Sequence, residues 1–449
     1  MIKVTLIPGD GIGPEITESV IQVFDAAEVP IQWDWCDAND LPHTLQSIKN
    51  TGIALKAPLE TPVGHGKQSI NVTLRKTFDT YANVRPVFTI PNIQTPYSDR
   101  NLDLVIVREN TEDLYIGVEY DLSPNTMEAR KIITREGCER ICRFAFELAR
   151  AQERPSVHCA TKANILKKTE GLLKHTFEEM AKDYTEIQAH HLIVDNCAHQ
   201  LMLNPEQFDV IVMSNMNGDI LSDQASGLVG GLGVASSSNI GSNFAIFEAV
   251  HGSAPDIAGK GIANPTAFLW SAIQLLRHLE LFDKATMIEN ALVKTFEDRF
   301  FTKDLDPSMG LPTKRFTQKI IKRLGEQPKN WVPRPHHPFQ VPTAPEQKTI
   351  KAKQVIGVDL YIPTVKCPKV LGNRLRKISE GTGFFLKYIA YNGLTVFPEN
   401  PGTFSVGTDR VYQCRFVGAS ALALLLEKLE SSSLSWVQCQ KVFEGPPTY

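Results

Sequence analysis

Residues 69–86 read SINVTLRKTFDTYANVRP. Ser69 is a good helix N-cap residue. Ile70, Leu74, Phe78 and Tyr81 then recur at helical spacing, which predicts a helix with one inward face. Asn71 and Arg75 stand four apart and share a different face. The helix is expected to end by Asn83 and Pro86, because the residue before a proline is pushed out of helical geometry. That leaves Arg85 on an extended segment just beyond. Two guanidinium groups, a hydroxyl and an amide can then converge on one ligand, and arginine forks match the two oxygens of a carboxylate. The plainer alternative is a surface helix with solvated arginines.

Upstream, residues 2–8 read as a short buried strand, followed by GDGIGPEI and an amphipathic helix from Glu15 to Ala27. Gly9, Gly11 and Gly13 have GxGxG spacing rather than GxGxxG, so they argue for a tight strand-to-helix turn and not a dinucleotide fingerprint. Downstream, Val87–Pro91 and Leu104–Val107 are apolar runs of the kind buried in parallel sheets. Arg108 and Glu109 follow at once, where α/β proteins place ligand sites, and Tyr115 lies close behind. Thr134–Ala151 is a long helix with Arg140, Arg143 and Arg150 on its outer side. Val157–Thr161 is a strand with Lys162 and Asn164 at its end, and His190–Val194 is a strand ending at Asp195. After the strand Asp209–Met213, Asp219 and Asp223 share one face of a helix start. With Asp195 they suit an oxygen-liganded divalent cation, Mg²⁺ or Mn²⁺; the alternative is acids complementing a helix dipole. The small-residue loop Glu248–Gly259 and Asn264-Pro265 can bring backbone N–H groups close to phosphates. Thr266–Phe282 reads as one apolar helix.

With 449 residues the chain is expected to form two or three domains. A net charge of −3 gives no reason to expect nucleic acid or an anionic membrane as partner. No apolar run reaches transmembrane length, and the N-terminus reads as a strand, not a signal or transit peptide. Eight scattered cysteines without a CxxC pair fit a reducing, cytoplasmic setting. Six prolines in residues 326–348 mark a semi-rigid linker, in which His336 and His337 are expected to be solvated. Beyond it the pattern gives strand 354–362, helix 369–380, strands 385–391 and 394–397 joined by Asn392-Gly393, strand 411–417, helix 419–429 and strand 436–443, a small ferredoxin-like appendage without visible chemistry.

IPGDGIGPEI, the 69–86 stretch, VIVRENTEDLYIGVEY, the Lys162/Asn164 and Asp195 segments, NMNGDILSD and EAVHGSAPDIAGKGIANPTA occur here in one order. Across residues 1–335 the chain thereby resembles the β-decarboxylating dehydrogenases, and within that family its isocitrate branch. The appendage resembles the C-terminal domain of a long-chain bacterial subgroup. The resemblance implies a doubly wound mixed-sheet α/β enzyme. It has a discontinuous large cofactor-binding domain (1–90 and 235–330), a small domain with the dimer contact (91–234), a linker (331–349) and an α+β C-terminal domain (350–449). It implies isocitrate as substrate, since isopropylmalate relatives carry apolar residues in place of Ser69 and Asn71. Arg75, Arg85 and Arg108 are then the carboxylate clamp, with Ser69 and Asn71 on the third carboxylate. Asp195, Asp219 and Asp223 are the metal carboxylates, and Tyr115 and Lys162 the acid–base pair with depressed pKa values. Lys162 and Asp195 come from a neighbouring subunit, so the active unit is at least a homodimer. Thr61 and Glu248 lie at the nicotinamide end; His251, Gly252, Ser253, Ala254, Pro255, Asp256, Ile257 and Asn264 lie on the adenosine side.

NADP-dependent relatives place Lys-Tyr where this chain has Asp256-Ile257, and add a Tyr and an Arg near the positions of Lys294 and Asp298. A carboxylate at Asp256 bonds a ribose hydroxyl but repels a 2′-phosphate, by roughly 4 kcal/mol at 4 Å and an effective dielectric near 20. NAD is therefore expected, with Lys294 a counter-hint toward NADP. Homoisocitrate or isopropylmalate dehydrogenase, and a non-catalytic regulatory subunit, are the competing readings.

Overall fold

The computed structural model describes residues 1–60, 69–338, 340–343, 354–399, 410–419 and 421–443. Thr61 lies outside the described residues. The chain forms two units, Met1–Ile116 with Lys131–Pro345, and Gly117–Arg130 with Glu346–Tyr449.

In the first unit lie β1 (Ile2–Ile7), α1 (Gly13–Ala26), β2 (Ile31–Trp35), α2 (Leu41–Thr51), β3 (Ile53–Lys56), α3 (Ile70–Thr77), β4 (Ala82–Phe88) and β5 (Asp103–Glu109). The hairpin β6 (Glu119–Ser123) and β7 (Thr126–Ala129) belongs to the second unit. The first unit resumes with α4 (Arg135–Ala151), β8 (Ser156–Thr161), α5 (Thr169–Met180), β9 (Gln188–Ile193), α6 (Val194–Leu203), β10 (Val210–Met213) and α7 (Asn215–Val229). It closes with β11 (Ser236–Ile240), β12 (Ala245–Ala249), α8 (Thr266–His278), α9 (Phe282–Glu297) and α10 (Thr313–Ile321).

Among the described residues its strands make one sheet in the order β2-β1-β3-β12-β11-β4-β5-β10-β8-β9. Two parallel groups, β2-β1-β3-β12 and β5-β10-β8-β9, are joined through antiparallel pairings at β11 and β4. The sheet is mixed for that reason, as expected, with β4 and β5 pairing antiparallel. Helices bury both faces. α1, α4, α5, α8, α9 and α10 pack one large core on one side, and α2, α3, α6 and α7 pack two smaller cores on the other. β10, VIVM, is buried at every residue, as a strand covered on both faces requires.

Sequence spacing overextends α3. The helix stops at Thr77, with Phe78 as its C-cap. Asp79 then takes φ +45°, and Thr80 N–H turns back to the Arg75 carbonyl, so Tyr81 is buried from a turn and Asn83 is already in β4. Arg85 is extended, as expected. Pro86 is tolerated within the strand because the β11 ladder ends at Val84. Three other expectations change. Arg140 is buried, its guanidinium 4.5 Å above the Tyr81 ring and bound to Asp79. The apolar run 266–282 is two helices, broken where Glu280 takes φ +58°. The proline-rich segment is not free: Trp331 Nε1 donates to Glu289 at 2.9 Å, and Tyr81 Oη donates to the Pro342 carbonyl at 2.7 Å. His336 is half-buried with Nδ1 at 2.7 Å from the Arg334 carbonyl; His337 is the exposed one.

The glycine-rich turn behaves as a tight turn, with Gly9 at φ +70° and Gly11 at φ +58°. A Cβ on Gly11 would stand 2.0 Å from the Ser253 carbonyl oxygen, which accepts from Ile12 N–H at 2.9 Å. The turn therefore buttresses the 251–259 loop.

In the second unit β13 (Val355–Pro363), α11 (Pro368–Ser379), β14 (Phe385–Tyr391), β15 (Leu394–Phe397), β16 (Val411–Val417), α12 (Leu422–Ser431) and β17 (Gln438–Phe443) form an antiparallel sheet, β15-β14-β16-β13-β17, over one core. Without the edge strand β15 this is the ferredoxin-like βαββαβ order. Asn392 and Gly393 both take positive φ, as their hairpin turn requires.

Candidate active site

β4 and β5 bring Arg85 and Arg108 side by side, because Asn83 pairs with Arg108 and Arg85 with Ile106. α7 crosses them closely. A Cβ on Gly218 would come within 2.7 Å of the Arg108 side chain, so only a glycine allows this approach. Arg108 is 1% exposed. Its Nε and Nη2 donate to Asn215 Oδ1 at 3.0 and 2.7 Å, and its Nη1 to Asp219. Arg85 donates to Asp223 at 2.8 Å, Ser222 at 2.6 Å and Asp219 at 3.2 Å. Tyr115 donates its hydroxyl to Asp219, and its ring lies 4.8 Å from the Arg108 guanidinium carbon.

α3 adds Ser69, Asn71 and Arg75. Arg75 Nη2 donates to Glu248 at 2.9 Å, while Arg75 Nε and Asn71 Oδ1 are buried without a partner among the described residues. Two unsatisfied polar atoms one turn apart mark where a polar ligand fits. Glu248 is buried and also meets Lys56 Nζ at 2.6 Å and Asn239 Nδ2 at 2.8 Å. Asn239 in turn accepts from Asn83, which accepts from Arg85 Nε. One chain of polar contacts thus runs between Arg75 and Arg85.

Burial lowers the Arg108 pKa to about 10, helped by the neighbouring Arg85 and Arg75. Burial opposes ionisation of Asp219, but Arg108 and Arg85 outweigh it and its pKa falls. Asp223 is raised, mainly by burial. Glu248 is held far below the usual carboxyl range because Lys56 and Arg75 overcome its burial. The expected depression of Tyr115 does not occur. Burial and its bond to the Asp219 carboxylate raise it, since ionisation would set two anions face to face. Tyr115 is therefore held protonated.

Lys162 and Asp195 stand apart from this cluster and pair with each other at 2.6 Å. Among the described residues, no three His, Cys, Asp or Glu of this single chain are placed to hold a metal ion. Asp219 and Asp223 supply two carboxylates on one face of α7, and arginines from β4 and β5 neutralise them. They are not acids serving a helix dipole.

The 251–264 loop follows β12, whose Glu248 meets Arg75. His251 Nδ1 faces the Gly252 carbonyl at 3.0 Å, which places the proton there, and burial lowers its pKa. The neutral ring leaves a buried Nε2 acceptor unpartnered among the described residues. Asp256 is exposed on the short turn Pro255–Ile257 after Ala254, which takes φ +42°. Asn264 accepts from Thr266 N–H and donates to Asp304 at 2.9 Å. Glu15, hidden inside the glycine motif, accepts from Gly261 and Ala263 N–H at 3.2 and 2.9 Å and fixes the loop. Lys294, the counter-hint, is engaged by Asp298 at 2.9 Å and Glu297 at 3.4 Å. Lys56, Asn83, Asn215, Gly218 and Asn239 escaped the sequence reading. A lysine closing the apolar strand IALK was the one visible sign among them.

A doubly wound α/β fold that brings three arginines, a tyrosine and two aspartates together, with a small-residue loop after β12, defines an α/β enzyme for a small polyanion. The isocitrate/isopropylmalate dehydrogenase profile matches residues 3–322, and that of the bacterial isocitrate dehydrogenase C-terminal domain matches residues 353–449, so the chain belongs to the isocitrate/isopropylmalate dehydrogenase family. It is 47% identical over 472 residues to a Thermus thermophilus protein named isocitrate dehydrogenase [NADP], covering 99% of this chain and 94% of that one. It is 39% identical over 473 residues to one of the same name from Rickettsia conorii, covering 98% and 96%. A crystal structure of a protein from Thermus thermophilus superposes with a TM-score of 0.94 at 46% identity, covering 100% of this chain and 95% of that one.

Proposed function

We propose that the enzyme oxidatively decarboxylates isocitrate to 2-oxoglutarate and CO₂, with NAD as hydride acceptor and Mg²⁺ or Mn²⁺ bound. The observation that carries the substrate is the buried, unpartnered pair Asn71 Oδ1 and Arg75 Nε beside Arg85 and Arg108. Arg75 Nε is a donor that meets a substrate carboxylate, and Asn71 Oδ1 an acceptor that meets a substrate hydroxyl, where an apolar wall offers neither. Asp219 and Asp223, with Asp195 of a second copy, would hold the cation, which fits because Lys162 and Asp195 do not reach the cluster within one chain. When bound, the cation would supply Lewis-acid polarisation of the substrate's oxygens and the nicotinamide a hydride acceptor.

The chain's own groups do the rest. Arg85 and Arg108 are bonded to Asp219 and Asp223. With substrate bound these guanidiniums turn to its carboxylates, joined by Arg75, Asn71 and Ser69. Lys162 of the second copy takes the hydroxyl proton. Tyr115, kept protonated by its surroundings, delivers a proton to the carbon that loses CO₂. On this reading residues 1–90 and 235–330 bind cofactor, and residues 91–234 carry the contact with the second copy. Unpaired cysteines support a reducing, cytoplasmic location.

NAD rests on Asp256, whose exposed carboxylate opposes a 2′-phosphate, and on Lys294, whose ammonium is already occupied. Relatives named for NADP make this a departure within the family. Two substitutions test the reading. Asn71→Leu lowers kcat/KM for isocitrate by about 100-fold or more, because the site's remaining polar groups lose their partner. Asp256→Lys with Ile257→Tyr shifts the NAD/NADP ratio of kcat/KM toward NADP by about 100-fold. An unchanged isocitrate rate, or an unchanged ratio, defeats the corresponding assignment.

A further inference from the structure

On the face of the large sheet opposite the Arg85–Arg108 cleft lies a cavity of about 750 Å³. Val84, Pro86 and Phe88 of β4 line it, alternating with Arg85, which points to the other side. Its outer wall is the proline-rich segment, pinned through Trp331 and Arg334. The volume is that of a small-molecule site, about 300–1,000 Å³. Nothing in the proposed chemistry uses it.

The walls state the ligand's chemistry. Their buried charges cancel in place: Asp103 is held by Arg154 at 2.7 Å and by Arg334 Nε at 2.6 Å, and Glu289 by Arg277 and the Trp331 indole. Neither pair leaves a buried countercharge for an ionic ligand; Glu280 and Lys329, which also line the cavity, are exposed. Phe88 stands 4.8 Å from Trp270 and 5.4 Å from Trp331, making an aromatic wall. Trp270 lines the cavity at 3% exposure, and its indole N–H has no partner among the described residues. His336 donates Nδ1–H to the Arg334 carbonyl at 2.7 Å, and burial keeps its ring neutral, so its Nε2 is an acceptor. We infer that this cavity binds a neutral, planar heteroaromatic molecule, packed against the wall that Phe88, Trp270 and Trp331 form, with an acceptor for the Trp270 N–H and a donor for His336.

The test is a titration of the full chain with the neutral fluorophore prodan, whose carbonyl is an acceptor, read as fluorescence enhancement. One saturable site per chain is expected, unchanged within twofold by saturating isocitrate and NAD. Trp270→Phe, which keeps the ring and removes the donor, weakens binding about fivefold, the worth of one hydrogen bond. Trp331→Ala weakens it more. Turnover of both variants within twofold of the parent shows that they fold. Absence of saturable binding, displacement by the cofactor, variants that bind as the parent does, or tighter binding of the anionic probe anilinonaphthalene sulfonate at the same site would each overturn the inference.

Discussion

Lys56→Met removes one cation from a fully buried carboxylate. Lys56 is 2% and Glu248 6% exposed, and their charged atoms stand 2.6 Å apart. Stranding a buried charge costs about 3–5 kcal/mol. Glu248 retains Arg75 and Asn239, so the lower end, about 3 kcal/mol, applies. Unfolding entropy of about 2.1 cal/mol/K per residue, over the roughly 330 residues of the catalytic unit, converts this to a fall in Tm of about 4 °C. The assay is differential scanning calorimetry of Lys56→Met, Glu248→Gln and the double variant. The double variant should lose less than the sum of the singles by about 1–3 kcal/mol. The sign of the pH dependence is fixed. Glu248 has a depressed folded pKa, so its stabilising contribution is complete above the unfolded value of 4.5 and is lost as pH falls through the folded pKa. The deficit of Lys56→Met is therefore largest at neutral pH and narrows in acid. Additive singles, or a Tm unchanged at pH 7, would refute the claim that this pair holds Glu248 ionised and Arg75 in place.

Gly218→Ala forces a Cβ to within 2.7 Å of the Arg108 side chain. It should cost about 1–3 kcal/mol by overpacking and raise KM for isocitrate more than it lowers kcat, measured by steady-state kinetics and thermal melts. Tyr115→Phe should lower kcat by about 10²–10⁴ while leaving substrate affinity within a few-fold. Chelation with EDTA should abolish turnover reversibly and lower Tm by a few degrees, since a cation that binds the folded chain stabilises it by mass action.

Local chemistry explains what could be read in advance. The hairpin at Asn392-Gly393 and the strands around it are dictated by residues within a few positions, and they stand where spacing puts them. The placing of Asn71, Arg75 and Arg85 near one another was legible because they lie on one short stretch. The end of α3 was not, because Tyr81 keeps the helical spacing of buried residues while reaching the core from a turn. The mixed sheet came from the resemblance and not from the runs themselves, since β4 and β5 read as buried strands whichever way their neighbours run. Lys56 meets Glu248, and Asn83 meets Asn239, across more than 100 residues of sequence, a distance over which no spacing rule reaches. The same distance concealed why Gly11 must be glycine, for the reason is the Ser253 carbonyl.

The most direct measurement is initial-rate formation of reduced cofactor by the purified full chain, with isocitrate, isopropylmalate, homoisocitrate or tartrate, each with NAD or NADP and with Mg²⁺ or Mn²⁺. Metal-dependent turnover of isocitrate with preference for NAD is predicted. Preference for another of these acids would contradict the roles of Ser69, Asn71 and Arg75, preference for NADP would contradict that of Asp256, and no turnover with any pair would contradict the assignment of a complete catalytic site.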